Sequence, residues 1–82
     1  MSKGSDKHSE IAECVRKNLE KYFRDLEGAK PGPIYDMVLH AVERPMIEIV
    51  LEQAAGNQTE AAEVLGINRN TLRKKIQFHK IR

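Results

Sequence analysis

From Ser9 onward the apolar positions fall into register. Ile11, Val15, Leu19, Tyr22 or Phe23, and Leu26 recur at steps of three and four with charged residues between them, as on one face of a helix. Ser9 suits an N-cap, and Gly28 suits the position past a helix end, where a left-handed backbone costs glycine nothing. The pattern predicts a first helix over residues 10–27. Ala29-Lys30-Pro31-Gly32-Pro33 is a stiffened connection that no helix crosses, and Pro33 suits the first position of the next helix. That second helix is expected from Ile34 to Ala55. Its apolar set, including Ile34, Met37, Val38, Val42, Met46, Ile47, Ile49 and Val50, covers more than one stripe, so it needs cover on more than one side. Pro45 removes the amide that would bond the Ala41 carbonyl. The apolar period resumes at once at Met46 and Ile47, which favours a kink; a break, with Pro45 opening a new helix, is the alternative.

Beyond residue 55 the punctuation is denser. Gly56 can end the second helix, and Asn57 with Glu60 three residues later is a capping-box variant that opens a brief third helix, about Gln58 to Leu65. Gly66 permits a tight change of direction, Ile67 plugs the corner, and Asn68 caps a fourth helix beginning at Arg69. Two short helices crossing steeply need small side chains where their backbones approach, and Ala61 and Ala62 supply them. Leu65, Ile67, Leu72 and Ile76 then fill the wedge, which makes the segment a helix-turn-helix. The expected class is all-α, with four helices in one chain.

Length sharpens this reading. Eighty-two residues hold one domain, with residues 1–8 a small, polar, flexible tail and residues 9–82 the helical domain. A chain this size buries only about 60% of its unfolded surface. Together with the broad apolar cover of the second helix, this makes a second copy of the chain the simplest partner.

Charge changes the picture more. The net charge is +2, but residues 67–82 hold six basic residues (Arg69, Arg73, Lys74, Lys75, Lys80 and Arg82) and no acid, while the first 66 residues carry a balance of −4. Such asymmetry marks a C-terminus that faces a polyanion, since a merely solvated face mixes both signs. At about 100° per residue, Leu72 and Ile76 define the buried side of the fourth helix. Asn70, Lys74 and Gln77 stand opposite, flanked by Thr71 and Arg73. Arg69 lies nearer the buried side by angle but can reach beyond the helix end. These amide, guanidinium and ammonium groups can read base edges in a major groove, while the amide-rich helix start favours a phosphate oxygen. The plain alternative is a basic helix packed on its own core.

Other chemistries find no support. The lone Cys14 cannot form an intramolecular disulfide and is expected to pack as a small hydrophobe in a reducing cytoplasm. His8, His40 and His79 are scattered and read as solvated or partly buried residues, not ligands; no metal site and no cofactor are expected. Met37 and Met46 read as core fillers. No serine or cysteine nucleophile has a paired base and no carboxylate pair stands out, so no catalytic residue is assigned and the chain is not expected to be an enzyme. No run approaches the roughly 20 apolar residues of a membrane span, and no membrane partner is expected.

Gly56-Asn57-Gln58-Thr59-x-Ala61-Ala62-x-x-Leu65-Gly66-Ile67-Asn68-Arg69-x-Thr71-Leu72-Arg73-Lys74-Lys75 closely resembles the C-terminal signature of the Fis (factor for inversion stimulation) family, shared with the DNA-binding tails of NtrC-type activators. The resemblance extends upstream through Tyr22-Phe23, Ile34-Tyr35 and Glu43-Arg44-Pro45, features of stand-alone Fis proteins, and covers about residues 10–80. It implies an intertwined homodimer whose core is made by the first and second helices, with the helix-turn-helices at its ends. It also implies recognition helices set closer than one turn of straight duplex, so that bound double-stranded DNA bends and is read largely by shape. Carried across by position, Asn68, Arg69 and Lys74 resemble base-proximal contacts, and Asn57, Thr59, Thr71, Arg73 and Lys75 resemble phosphate or flanking contacts. Glu60 stands where the family often has a basic residue, and Gln77-Phe78 interrupts the usual lysine run. The short, polar N-terminal segment is not expected to form the β-hairpin arm through which some members activate DNA invertases, so recombinase stimulation is not expected. The expectation is a nucleoid-associated, DNA-bending transcriptional regulator of the bacterial cytoplasm, with RNA polymerase a further candidate partner. The competing readings are an output domain of an NtrC-type activator and a helical module that docks an acidic protein.

Overall fold

The computed structural model describes the backbone of residues 3–82 and the side chains from Glu10 onward. Its elements are α1 (Lys3–Leu26), α2 (Ile34–Gln53), α3 (Gln58–Leu65) and α4 (Arg69–His79), an all-helical chain over the described residues. Two compact units divide it, Met1–Val38 and Leu39–Arg82.

In the first unit α1 begins at Lys3, well ahead of the Ser9 start expected from the apolar period. That period reports where a face is needed, not where helix becomes impossible. Residues 3–9 contain no proline and a single glycine, which costs about 1 kcal/mol within a helix and does not forbid it. Met1 and Ser2, the rest of the expected tail, lie outside the described residues. Glu27 (φ 50°) and Gly28 (φ 85°) both turn left-handed after the last helical residue. The connection folds back on α1, with the Gly32 amide donating to the Tyr22 hydroxyl at 3.0 Å. Tyr22 also meets Phe23 edge-on at 5.6 Å between ring centroids. Ile11, Phe23, Tyr35 and Met37 are exposed on the single chain. So is Cys14, whose expected packing as a small hydrophobe is not realised: it lies beside the apolar stripe, not on it.

In the second unit α2 runs unbroken through Pro45, as the uninterrupted apolar period suggested. It stops at Gln53, because Ala55 (φ 53°) and Gly56 (φ 83°) take left-handed conformations and the Gly56 amide closes on the Leu51 carbonyl at 2.9 Å. The next helix starts at the predicted cap: Asn57 Oδ1 accepts from the Glu60 amide at 3.1 Å. Gly66, at φ 76°, ends it, and its own amide and that of Ile67 both donate to the Ala62 carbonyl (2.9 and 3.0 Å), a Schellman closure. Asn68 Oδ1 then accepts from the Asn70 amide at 2.7 Å and opens α4.

The core of this unit is small: Ile47 and Ala54 after the α2 proline, Ala61 and Ala62 of α3, and Leu72 of α4. Val50, Leu51, Leu65, Ile67, Ile76 and Ile81 pack around it. Both alanines are buried where α3 meets α4, which is why larger residues would force the helices apart. Met46, read as a core filler, is exposed, as are Val42 and Ile49 on the same helix; the buried stripe of α2 is narrower than its apolar content.

The corner can be tested directly. A Cβ on Gly66 would meet nothing within 4 Å, so its requirement is conformational and not steric. Gly66→Ala is expected to cost about 1–2 kcal/mol through the left-handed backbone. Leu72→Ala, at a fully buried position, should cost about 2–5 kcal/mol. Denaturant unfolding of the two variants measures both.

Candidate nucleic-acid interface

The caps that start α3 and α4 also aim chemistry outward. Because Asn57 and Asn68 use their side-chain oxygens on amides of their own helices, their NH2 groups are left as donors at the two helix starts. Thr59 is exposed in the first turn of α3, and Arg69 in the first turn of α4. Arg69 is thus accessible despite its angle on the wheel. Thr71, Arg73 and Lys74 are exposed along α4, as is Asn70. Helix geometry puts Asn70 and Lys74 one turn apart on the side opposite Leu72. Seven of the eight residues expected to contact nucleic acid therefore stand on the surface.

Lys75 is the eighth, and the structure places it differently. Its ammonium donates to Glu43 Oε2 of α2 at 2.6 Å, and its side chain is only one third exposed. The other oxygen of the same carboxylate, Oε1, lies 3.1 Å from His79 Nε2. Glu43 and His79 are each 7% exposed. Arg44, the next residue of α2, donates from Nη1 to the His79 carbonyl at 2.8 Å, closing a C-terminal carbonyl of α4 that has no partner within its own helix. His79, expected to be an unremarkable histidine, is a buried member of a polar cluster.

Sequence reasoning missed that cluster, though a signal was present. Glu43 is one turn before Ile47 on the buried side of α2, and a carboxylate at such a position requires partners. Lys75 and His79, one turn apart and beside Leu72 and Ile76, were the available complement.

Next to the cluster a hollow of about 390 Å3 is lined by His40, Glu43, Thr71, Lys74, Lys75 and Phe78. Phe78 is exposed and stacks at a tilt on His40, 4.5 Å between centroids, so an aromatic ring borders the outward side of α4 where the sequence interrupts its lysines. Among the described residues no group of three metal-ligating side chains occurs, and no helix is long and apolar enough to cross a membrane.

The hydrogen bond from Lys75, reinforced by that from His79, holds the Glu43 carboxyl below the usual carboxylate range. A lowered folded-state value means that this stabilisation is fully present above the unfolded carboxylate pKa of about 4.3 and is lost as pH falls through the lowered value. The thermal midpoint should therefore drop on acidification below about pH 4, and the drop should be smaller in Glu43→Gln, which has no carboxylate to protonate. Thermal melts of both proteins across pH 2–7 would measure it.

Comparison with known proteins agrees with this geometry. Residues 38–78, which contain α3 and most of α2 and α4, match the family described as bacterial regulatory protein, Fis family. A Fis-like DNA-binding protein of Neisseria meningitidis serogroup A is 56% identical over 70 residues, covering 85% of this chain and 89% of that protein. A Fis-like DNA-binding protein of Ralstonia nicotianae is 58% identical over 69 residues (84% and 90%). The DNA-binding protein Fis of Glaesserella parasuis is 45% identical over 67 residues, covering 82% of this chain and 68% of that protein. With the helix-turn-helix in place and these likenesses spanning both units, the chain belongs to the Fis family of bacterial regulatory proteins, a family of regulators and not of enzymes.

Proposed function

We propose that this protein binds double-stranded DNA as a homodimer, bends it, and regulates transcription as a nucleoid-associated protein of the cytoplasm. The observation that carries the reading is the outward side of α4. Asn70 and Lys74 stand opposite the buried Leu72, and Arg69 and Arg73 are exposed beside them, on a helix with no acidic residue along its length. Cations on a rigid, capped helix of this size suit a major groove, Arg69 and Lys74 toward guanine edges and Asn68 toward adenine or phosphate. Asn57, Thr59, Thr71 and Arg73 suit the flanking phosphates. The names of the relatives, each a DNA-binding protein, support the same ligand.

Self-association is supported by what one chain leaves uncovered. Ile11 and Phe23 of α1, and Val42, Met46 and Ile49 of α2, are large apolar side chains that one chain leaves exposed, surface that a second copy could cover. A dimer would bury them and pair two reading helices. In the arrangement the family resemblance implies, those helices sit closer than one turn of straight duplex, and the DNA must bend to meet both.

Duplex affinity should fall steeply with salt, by about 0.9 in log K per log unit of salt for each phosphate neutralised. Affinity for an acidic peptide at the same two salt concentrations separates this reading from a protein-docking module. Arg69→Ala should relax base preference by about 1–3 kcal/mol at its contacted position, read by competition between duplexes differing at one base pair. Solution mass should correspond to two chains. A gel-mobility permutation series should show mobility that depends on the position of the site; uniform mobility would rule out bending.

A further inference from the structure

We infer that Glu43 is the positioning residue of the DNA-reading helix, and that Lys75 is the cation it clamps, not a phosphate contact. This rests on the DNA reading above for its consequence, while the clamp itself belongs to the free protein. Three attachments tie α2 to the second half of α4. Lys75 Nζ and His79 Nε2 each take a separate oxygen of one carboxylate, at 2.6 and 3.1 Å, and Arg44 holds the His79 carbonyl at 2.8 Å. Lys75 and His79 are one turn apart, so a rotation of α4, or a slip by one turn along its axis, breaks both carboxylate contacts together. Arg69, Asn70, Arg73 and Lys74 are left exposed around the buried Leu72.

Competition between partners decides the role of Lys75. Glu43 is almost wholly buried, and a carboxylate there that loses its cation is an uncompensated charge in a poorly solvated place. A phosphate on the open surface offers Lys75 a weaker, salt-screened contact. His79 alone could not replace the ammonium, since it donates one hydrogen bond and is charged only when protonated. Lys75 therefore stays on Glu43 when a duplex arrives. Of the six cations in the C-terminal segment, one is neutralised by an acid 32 positions earlier in the chain.

Glu43→Gln separates the two jobs of the carboxylate. It keeps the shape and an acceptor for His79 but removes the charge that holds Lys75. With Lys75 released toward the duplex, the slope of log K against log salt should become steeper by about 0.9 for each bound subunit. Adding Lys75→Gln to that background should cancel the increase. A merely structural role for Glu43 would lower the unfolding midpoint and leave the slope where it was. An unchanged or shallower slope in Glu43→Gln would overturn the inference. In the free protein, the Lys75 ammonium protons should be protected from solvent exchange by NMR and lose that protection in Glu43→Gln. If the protein bound no duplex at low salt, the functional proposal would fail while this measurement still decided the clamp, and unprotected Lys75 protons in the unsubstituted protein would disprove it.

Discussion

The close approach of two short helices governs everything else in the C-terminal unit. α3 has eight residues and α4 eleven, each too short to be stable in water alone, so both depend on contact with each other and with α2. The contact is possible because Ala61 and Ala62 present almost no side chain, and because Gly66 reverses the chain without strain. Leu72 enters the space so created and is fully buried. From that single insertion follows the orientation of α4: its polar side is fixed by where its leucine must go.

Polar chemistry refines what the apolar core begins. Five buried apolar side chains, three of them alanines, give limited directional information, since methyl groups tolerate small rotations. The carboxylate of Glu43 does not, because its two oxygens must each meet a particular donor. Breaking such a cluster is costly even though forming it brings little net stability, so it specifies geometry more than it adds to stability. The lowered affinity of Glu43 for protons is the electrostatic signature of the same arrangement.

Much of this was legible in the sequence where local rules operate. Asn57, Gly66 and Asn68 carry their conformational meaning within three residues of themselves, and the caps and corner of α3 and α4 appear where those residues predict them. Lys74, opposite Leu72 on the wheel, is exposed as that geometry predicts, while Arg69, which the wheel puts nearer the buried side, is exposed because it lies in the first turn. Rules that depend on distant partners were not legible. The 32-residue separation of Glu43 from Lys75 hides a pair that only the packing of α4 on α2 creates. Met46 belongs to an apolar pattern but not to the buried stripe of its own chain. The start of α1 at Lys3 shows the opposite limit, since the absence of a breaker lets a helix extend beyond the face that called for it.

Glu43 and Arg44 are neighbours in sequence, yet one grips the imidazole of His79 and the other its backbone carbonyl. Two successive residues of one helix thus seize a single residue of another from both sides. Such a grip leaves little room for fraying of the final turn of α4 in isolation, since local opening there must disrupt the middle of α2 as well. The end of α4 and the middle of α2 are therefore expected to open together, their amides exchanging as one cooperative unit instead of a graded series.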